Sequence, residues 1–396
     1  MILERIELLI SQRRYDMAEK EIMQALSESP QNALLHAYLA ICLMGRDQLS
    51  EAKEAVKKAI SFEPDFPFVY GLLSKIHYQE GDMKASMKII DEAIRLNPVN
   101  ADFHIHKAYI HFYNQEWQAC LEAAERGLGF DSENVDGLNI RARVLVKLGR
   151  SPEASSAFEA SMNRNPENAY THINKGWALL EEGNYDEALK HFKEAVRLDP
   201  NNDTARAGLV EGLKAKYWIY RGYLKFAFWL SNMSSKNRWF LMIGLILIVN
   251  FVPFLVPFYL VLIFFSWFSS VFFNLLLRFS TYGKYALSKE QMNNSNLFGS
   301  LLLGGIGCLI AAPLSGIPQL ETIGFVALGM LFPVTGTFHK QNPASKKKSL
   351  YVTYGLLALG LATIVTSFVN PELGGGLLTI YAIGIMGYTF FVNMIP

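Results

Sequence analysis

The sequence predicts an all-α chain in two parts, a superhelical solenoid of repeated helical hairpins followed by a polytopic transmembrane helical bundle. Prolines recur every 34 residues at Pro30, Pro64, Pro98, Pro166 and Pro200, with Ser132 in the one missing register. In the same frame small residues recur at Ala18, Ala52, Ser86, Cys120, Ala154 and Ala188, and again at Ala25, Ala59, Ala93, Gly127, Ser161 and Ala195. A fixed period with small residues in register means stacked supersecondary units whose two helices approach closely. Residues 239–396 carry only ten charged side chains, so nearly all the charge lies in the first 238 residues. Long uncharged runs of that kind are the signature of membrane-spanning helices.

The clearest unit runs from Ala169 to Asn202. Its first helix ends near Glu182, Gly183 permits a left-handed turn, a second helix runs to Leu198, and Pro200 stops it. Gly176, Gly183-Asn184-Tyr185-Asp186-Glu187-Ala188, Phe192, Ala195 and Leu198-Asp199-Pro200 resemble the tetratricopeptide-repeat (TPR) consensus. The same frame gives six repeats at 1–32, 33–66, 67–100, 101–134, 135–168 and 169–202, the first lacking the start of its helix A. In the 101–134 unit Gln115 replaces the turn glycine and Ser132 the terminal proline.

The resemblance implies a concave face lined by helix A that holds an extended peptide. Positions two, five, six, nine and twelve of each unit then point inward, giving Lys75, His106, Tyr109, Phe112, Asn139, Arg143, Tyr170, Asn174 and Trp177 as the groove. Asn139 and Arg143 are four residues apart on one helical face, with Asn174 in the next repeat, an arrangement similar in part to the carboxylate clamp of chaperone-binding TPR domains. The lysine-asparagine pair which that clamp needs in an earlier repeat is absent, so a solvated groove with internal hydrogen bonds stands beside it. His104, His106 and His111 form the one histidine cluster. His106 projects away from the other two, which occupy packing positions, so helix packing and not metal binding is expected.

Residues 203–238 link the parts. Asp203 to Lys216 reads as a capping helix over the last repeat, through Ala207, Leu209, Val210 and Leu213. The aromatic stretch Tyr217 to Leu230 follows, with Lys214, Arg221 and Lys225 on one stripe and Ile219, Tyr223, Phe226 and Leu230 opposite. Trp218 and Trp229 fall near the border, so Trp218, Arg221, Lys225 and Trp229 are expected at a membrane interface. Packing of the aromatics on the capping helix is compatible with the same pattern.

Trp239 to Leu277 is uncharged over 39 residues, and a helix of that length spans about 58 Å, roughly twice a hydrocarbon core. Asn250, Pro253 and Pro257 therefore mark a hairpin, and six spans result at 239–255, 257–277, 297–316, 320–338, 350–369 and 374–394, or four if the first run is re-entrant. Lys236, Arg238, Arg278, Lys284, Lys289, Lys340 and Lys346 to Lys348 all fall on one side, so the repeats and the C-terminus face the cytoplasm, in an integral multi-pass protein of the cell (inner) membrane. The turns near Pro253, Gln319 and Pro371 face outward. Glycines such as Gly304, Gly305, Gly324, Gly329, Gly355 and Gly360 favour close packing of these helices.

The near-neutral charge excludes a nucleic-acid footprint. Cys42, Cys120 and Cys308 lack paired spacing, and Met1 to Lys20 lacks the apolar core of a secretory signal. No span carries a convincing mid-membrane charge, and Ser315 has no membrane histidine to activate it, so neither an ion-coupled pump nor an intramembrane protease is expected. No cofactor, metal or catalytic residue is expected. What remains is an adaptor whose groove takes a protein or peptide, with membrane lipids and another integral membrane protein as further partners. The alternative is a lipid or small-solute transporter with the repeats as a regulatory docking platform.

Overall fold

The structure is a computed structural model that describes every residue except 1, 234–236, 238–239, 242–243, 245–251, 253, 255, 281–282, 339, 341–342 and 392–396. Most of the expected span 239–255, its turn at Pro253, and the end of the span 374–394 lie outside the described residues. The chain divides into two compact units, residues 1–178 with 197–199 and residues 179–196 with 200–396. Among the described residues all regular structure is helical.

Twelve helices of the described residues form consecutive hairpins: α1 (Ile2–Ser11) with α2 (Tyr15–Glu28), α3 (Ala33–Gly45) with α4 (Leu49–Phe62), and α5 (Pro67–Gln79) with α6 (Met83–Leu96). These are followed by α7 (Ala101–Tyr113) with α8 (Trp117–Phe130), α9 (Val135–Lys147) with α10 (Ser151–Arg164), and α11 (Ala169–Glu182) with α12 (Tyr185–Leu198). Within each hairpin the chain reverses through one left-handed residue, at Arg13, Asp47, Gly81, Gln115, Gly149 and Gly183, again 34 residues apart. Gln115 thus takes the turn conformation, with φ 61°, without glycine's freedom.

Between hairpins, asparagine side chains cap the next helix: Asn32, Asn100, Asn134, Asn168 and Asn202 accept from the backbone N–H three residues on. At 66, where the frame holds Phe, Pro67 opens the helix instead. A second device recurs four positions into helix A, where a side chain reaches back to the loop proline's carbonyl. His36, Tyr70, His104, His172 and Arg206 bond to the carbonyls of Pro30, Pro64, Pro98, Pro166 and Pro200 at 2.9, 2.7, 2.8, 3.2 and 2.8 Å. Side chains that long satisfy a carbonyl which the helix ladder cannot reach.

In the second helices of the hairpins, Ala18, Ala52, Ser86, Cys120, Ala154 and Ala188 are all at most 1% exposed. Around them pack separate cores, such as Ala37, Val56, Val69 and Ile76 early in the array and Ile105, Leu121, Ile140 and Leu145 later. Polar groups also bridge the two helices of a hairpin and, through His106 and Asn139, neighbouring hairpins. Ser74 Oγ donates to the Ser86 carbonyl at 2.8 Å, Ser86 Oγ donates to the Ser74 carbonyl at 2.9 Å, and His106 Nε2 meets Ser74 Oγ at 3.0 Å. Two repeats on, Asn139 Nδ2 donates to Thr171 Oγ1 at 3.0 Å, and Ser161 Oγ lies 3.1 Å from the same hydroxyl.

In the second unit α12 packs with α13 (Asp203–Lys214), where the Phe192 ring occupies the space a Cβ on Gly208 would need. Arg206 repeats the proline-carbonyl contact, so α13 is built as a further helix A. It is followed by α14 (Trp218–Ser231), α15 (Val256–Leu277), the short α16 (Gly283–Ala286), α17 (Lys289–Ser315), α18 (Gln319–Phe338), α19 (Pro343–Val369) and α20 (Pro371–Phe391). Leu189, Val210, Leu213, Leu277 and Leu287 form one core joining α12, α13 and α15. Beside it Lys214, 1% exposed, pairs with Glu211 at 2.8 Å and reaches Ser270 Oγ at 3.4 Å, while the Tyr220 hydroxyl donates to the other Glu211 oxygen.

Three helical stretches of the described residues, Lys289–Ser315, Gln319–Phe338 and Ser345–Val369, are long and apolar enough to cross a membrane. α17 and α18 meet at Gly305 and Gly324, where each glycine would set a Cβ against the other's carbonyl at 3.2 and 3.0 Å. Tyr381 and Tyr388 of α20 lie against Gly329 and Gly336 of α18, and Tyr381 donates to the Val326 carbonyl at 2.8 Å. At the 338–350 ends, Thr337, Ser349, Thr353 and Tyr388 form a buried hydroxyl cluster.

Two predictions follow from the array's backbone and its buried histidine. Gln115→Gly relieves a left-handed penalty of about 1–2 kcal/mol against a glycine entropy cost of about 0.5–1, so it raises stability by about 1 kcal/mol in denaturant unfolding, whereas Gly183→Ala lowers it. Burial holds His106 down from 6.5 to about 4, with Lys75 adding to the effect and Ser74 opposing it. The folded chain thus keeps a neutral ring that the unfolded chain protonates, so stability from this group is complete above pH 6.5 and drains away as pH falls towards 4. His106→Gln removes up to roughly 3 kcal/mol of that acid-side slope, read from denaturation midpoints across the window.

Candidate functional site

Each repeat's helix A brings its ninth residue to the same face, which places Lys75, Tyr109, Arg143 and Trp177 in succession along the array. Side-chain contacts link that face across repeats. The Arg143 guanidinium lies 4.3 Å from the centre of the Phe112 ring, which meets Trp117 edge-on at 5.2 Å. Tyr109 and Tyr170 share a hydrogen bond across the intervening repeat. Tyr78, at the twelfth position of its unit, packs edge-on against Tyr113 at 6.0 Å and against His106 at 5.6 Å.

His106 and Asn139 are enclosed, at 7% and 0% exposure, and their polar atoms are spent on Ser74 and Thr171 inside the stack. Asn174 is also buried, at 5%, but its Nδ2 donor has no hydrogen-bond partner. Lys75 and Tyr170 are exposed, and Tyr109, Phe112, Arg143 and Trp177 are half-buried. The structure therefore joins Tyr109, Phe112, Arg143 and Tyr170 into one constellation and sets His106 and Asn139 behind it. His104 and His111 turn elsewhere, to the Pro98 carbonyl and to Glu116 at 2.5 Å. Among the described residues no three His, Cys, Asp or Glu side chains converge as a metal set.

The electrostatics suit hydrogen-bond donation. Desolvation raises the pKa of Tyr109, with Tyr170 adding to it and Arg143 opposing it, and desolvation likewise raises that of Tyr78. Both phenols are neutral donors at physiological pH. Asp136 is exposed, yet crowding by the surrounding wall raises its carboxyl, Lys75 opposing and Asp102 adding. With the Arg143 guanidinium and the Lys75 ammonium, the face offers donors flanked by flat aromatic rings. Such a surface fits a chain of carbonyl acceptors and carboxylates.

The second set of expected residues lies on α14. Trp218 is 80% and Trp229 49% exposed, and Lys225 is exposed with no ion-pair partner among the described residues. Arg221 behaves differently: its Nε donates to the Ala215 carbonyl at 2.6 Å, and its guanidinium lies 4.9 Å from the Tyr185 ring centre. Lys214, read from the sequence as part of the same cationic stripe, is instead buried against Glu211. Ser315 bonds back to the Ala312 carbonyl at 3.4 Å and ends its helix.

Sequence reasoning passed over Tyr78, Tyr113 and Trp117, although Tyr78 obeys the register rule. Tyr113 and Trp117 flank the hairpin turn, where helical periodicity gives no direction.

Tetratricopeptide-repeat models match residues 9–76, 69–100 and 141–203. The chain is similar to a TPR repeat-containing protein of Methanocaldococcus jannaschii, 22% identical over 216 residues that make up 48% of this chain and 36% of that one. It is also similar to a DnaJ homolog subfamily C member 7 homolog of Dictyostelium discoideum, 28% identical over 190 residues, 44% of this chain and 34% of that one. Stress-induced-phosphoprotein 1 of Caenorhabditis elegans is 24% identical over 163 residues, 33% of this chain and 51% of that one. The chain thus spans between 34% and 51% of the length of these relatives. Among solved structures, a thermophilic TPR protein of Thermus thermophilus matches with a TM-score of 0.42 and 20% identity, covering 45% of this chain and 97% of that one. Residues 9–100 and 141–203 carry tetratricopeptide repeats, a module of protein interaction.

Proposed function

We propose that this chain is a membrane-anchored adaptor whose repeats hold an extended segment of a partner protein at the cytoplasmic face. The observation that carries the reading is the donor-rich aromatic face formed by Tyr78, Tyr109, Phe112, Arg143 and Tyr170 across successive repeats. Aromatic and arginine side chains in half-buried settings supply most of the energy at protein interfaces. The chain is similar over 163 residues to a stress-induced phosphoprotein and over 190 residues to a DnaJ homolog. Their resemblance supports protein recruitment over catalysis.

Anchoring is supported by the three membrane-length helices and by the placement of lysines and arginines outside the uncharged runs. In this reading the repeats and the C-terminus share the cytoplasmic side, with six spans, and the surplus of spans over a single anchor engages lipid or another integral membrane protein.

Arg143→Glu together with Tyr109→Ala is expected to weaken partner capture by at least about tenfold, measured as co-purification in mild detergent, while the protein stays in the membrane fraction. Persistence of every partner in that variant overturns the recruitment reading. Separately, the full chain is expected to resist alkaline carbonate extraction, with its repeats shielded from protease added to the outside of sealed cells. Release by carbonate removes the anchor from the proposal.

A further inference from the structure

Helices α14 and α15 enclose a cavity of about 320 Å³, lined chiefly by Trp218, Gly222, Phe226 and Leu230 of α14 and by Phe265 of α15. Its walls are mainly apolar, with Tyr223 and Ser266 also among them, yet it opens to the outside, and Trp218, Phe226 and Trp229 beside it are 80%, 39% and 49% exposed. A soluble surface seldom leaves such a patch uncovered. The floor helix α15 carries no charged residue from Val256 to Leu277.

The rim has the opposite character. On α14, Lys225 lies seven residues after Trp218, three after Gly222 and four before Trp229, so the ammonium shares the stripe that forms one edge of the cavity. It is exposed and has no ion-pair partner among the described residues, whereas Lys214, on the preceding helix, and Arg221 are engaged with Glu211 and with the Ala215 carbonyl. An apolar slot with an unpaired cation between two exposed tryptophans matches one kind of molecule: a hydrocarbon chain attached to an anion.

We propose that this groove binds a phospholipid with an anionic headgroup, one acyl chain lying between α14 and α15 and the phosphate against Lys225. The inference rests on the membrane-anchored reading given above and names a lipid partner for it. The tryptophans sit at headgroup depth, where their ring bodies and N–H groups are both accommodated. Bound this way, the lipid fixes α14 in the plane of the membrane surface.

Gly222 provides the test, since it lines the cavity and a Cβ added there meets nothing within 4 Å, so a bulky substituent starts from open space. The full chain and its Gly222→Phe and Lys225→Gln variants are extracted from membranes of mixed phosphatidylglycerol and phosphatidylcholine, delipidated in detergent, and weighed intact by native mass spectrometry. The original chain is expected to retain phosphatidylglycerol, Gly222→Phe to lose about tenfold of the retained lipid, and Lys225→Gln to keep lipid but lose the preference for the anionic headgroup. Equal lipid retention by Gly222→Phe overturns the proposal. So does a change in the variant's oligomeric mass at constant lipid content, which makes the groove an interface between copies. Carbonate extraction of the same samples separates the two levels: a protein that stays in the membrane but retains no lipid leaves the anchor standing and removes the groove.

Discussion

One contact recurs in the first five hairpins and sets the geometry of the rest: helix B packs on helix A at small, enclosed residues. Ala18, Ala52, Ser86, Cys120, Ala154 and Ala188 are at most 1% exposed, and none is larger than cysteine. Interiors are packed too densely for such a site to absorb an added methylene without moving a helix. The left-handed residue at the turn makes the crossing possible, because it brings the start of helix B back against the end of helix A. With the crossing fixed, the rotation of helix A is fixed too. The ninth positions of successive repeats then align, and Tyr109 reaches Tyr170 across a whole repeat.

Much of this was legible because it depends on residue size and backbone freedom, which a sequence records directly. The 34-residue spacing marked the prolines and the small crossing residues. The turn position could be extended from Gly183 to Gln115, since the frame demands a left-handed residue there whatever its side chain. The fate of buried polar side chains was harder to read. His106 and Asn139 occupy groove positions by register, yet they lie behind the face because each finds a hydroxyl on the adjoining hairpin. The signal is a partner at a fixed offset: Ser74 lies 32 residues before His106, and Thr171 lies 32 residues after Asn139. Similarly, His36, His104 and His172 each follow a loop proline by six residues and bond to its carbonyl. His104 was read as simple packing, whereas a long side chain with a ring nitrogen serves as a clasp.

Charge placement separates three cations that helical periodicity had grouped on one stripe. Lys214 precedes the turn into α14, and its stem is carried inward against α15, where Glu211 compensates the charge and Tyr220 occupies the second carboxylate oxygen. Lys214 is enclosed while Glu211 keeps some contact with solvent, so removing the carboxylate, which strands the ammonium away from water, costs more than removing the lysine. Arg221 ends on the Ala215 carbonyl, and of the three Lys225 alone remains in solvent. Amphipathic periodicity assumes an isolated straight helix. Here a turn at 215–217 interrupts the stripe, so residues on either side of it belong to different surfaces.

The hydroxyl cluster among α18, α19 and α20 bears on the choice between an adaptor and a transporter. Thr337, Ser349, Thr353 and Tyr388 are buried polar residues in apolar helices, the setting in which ion and solute pathways are usually sought. Their spacing speaks against a cation site. Thr337 lies 2.8 Å from both Ser349 and Thr353, and Ser349 lies 2.9 Å from Tyr388. A cation bound at about 2.4 Å from two oxygens, even at a right angle, holds them about 3.4 Å apart. These oxygens are at hydrogen-bond distance from one another, and Thr353 and Tyr388 also reach the Pro333 carbonyl at 3.3 and 3.2 Å. Each hydroxyl spends its donor on a neighbour, which ties three helices together where glycines let them approach. Such a cluster braces α18, α19 and α20 against one another, and in the adaptor reading proposed above it stiffens the platform.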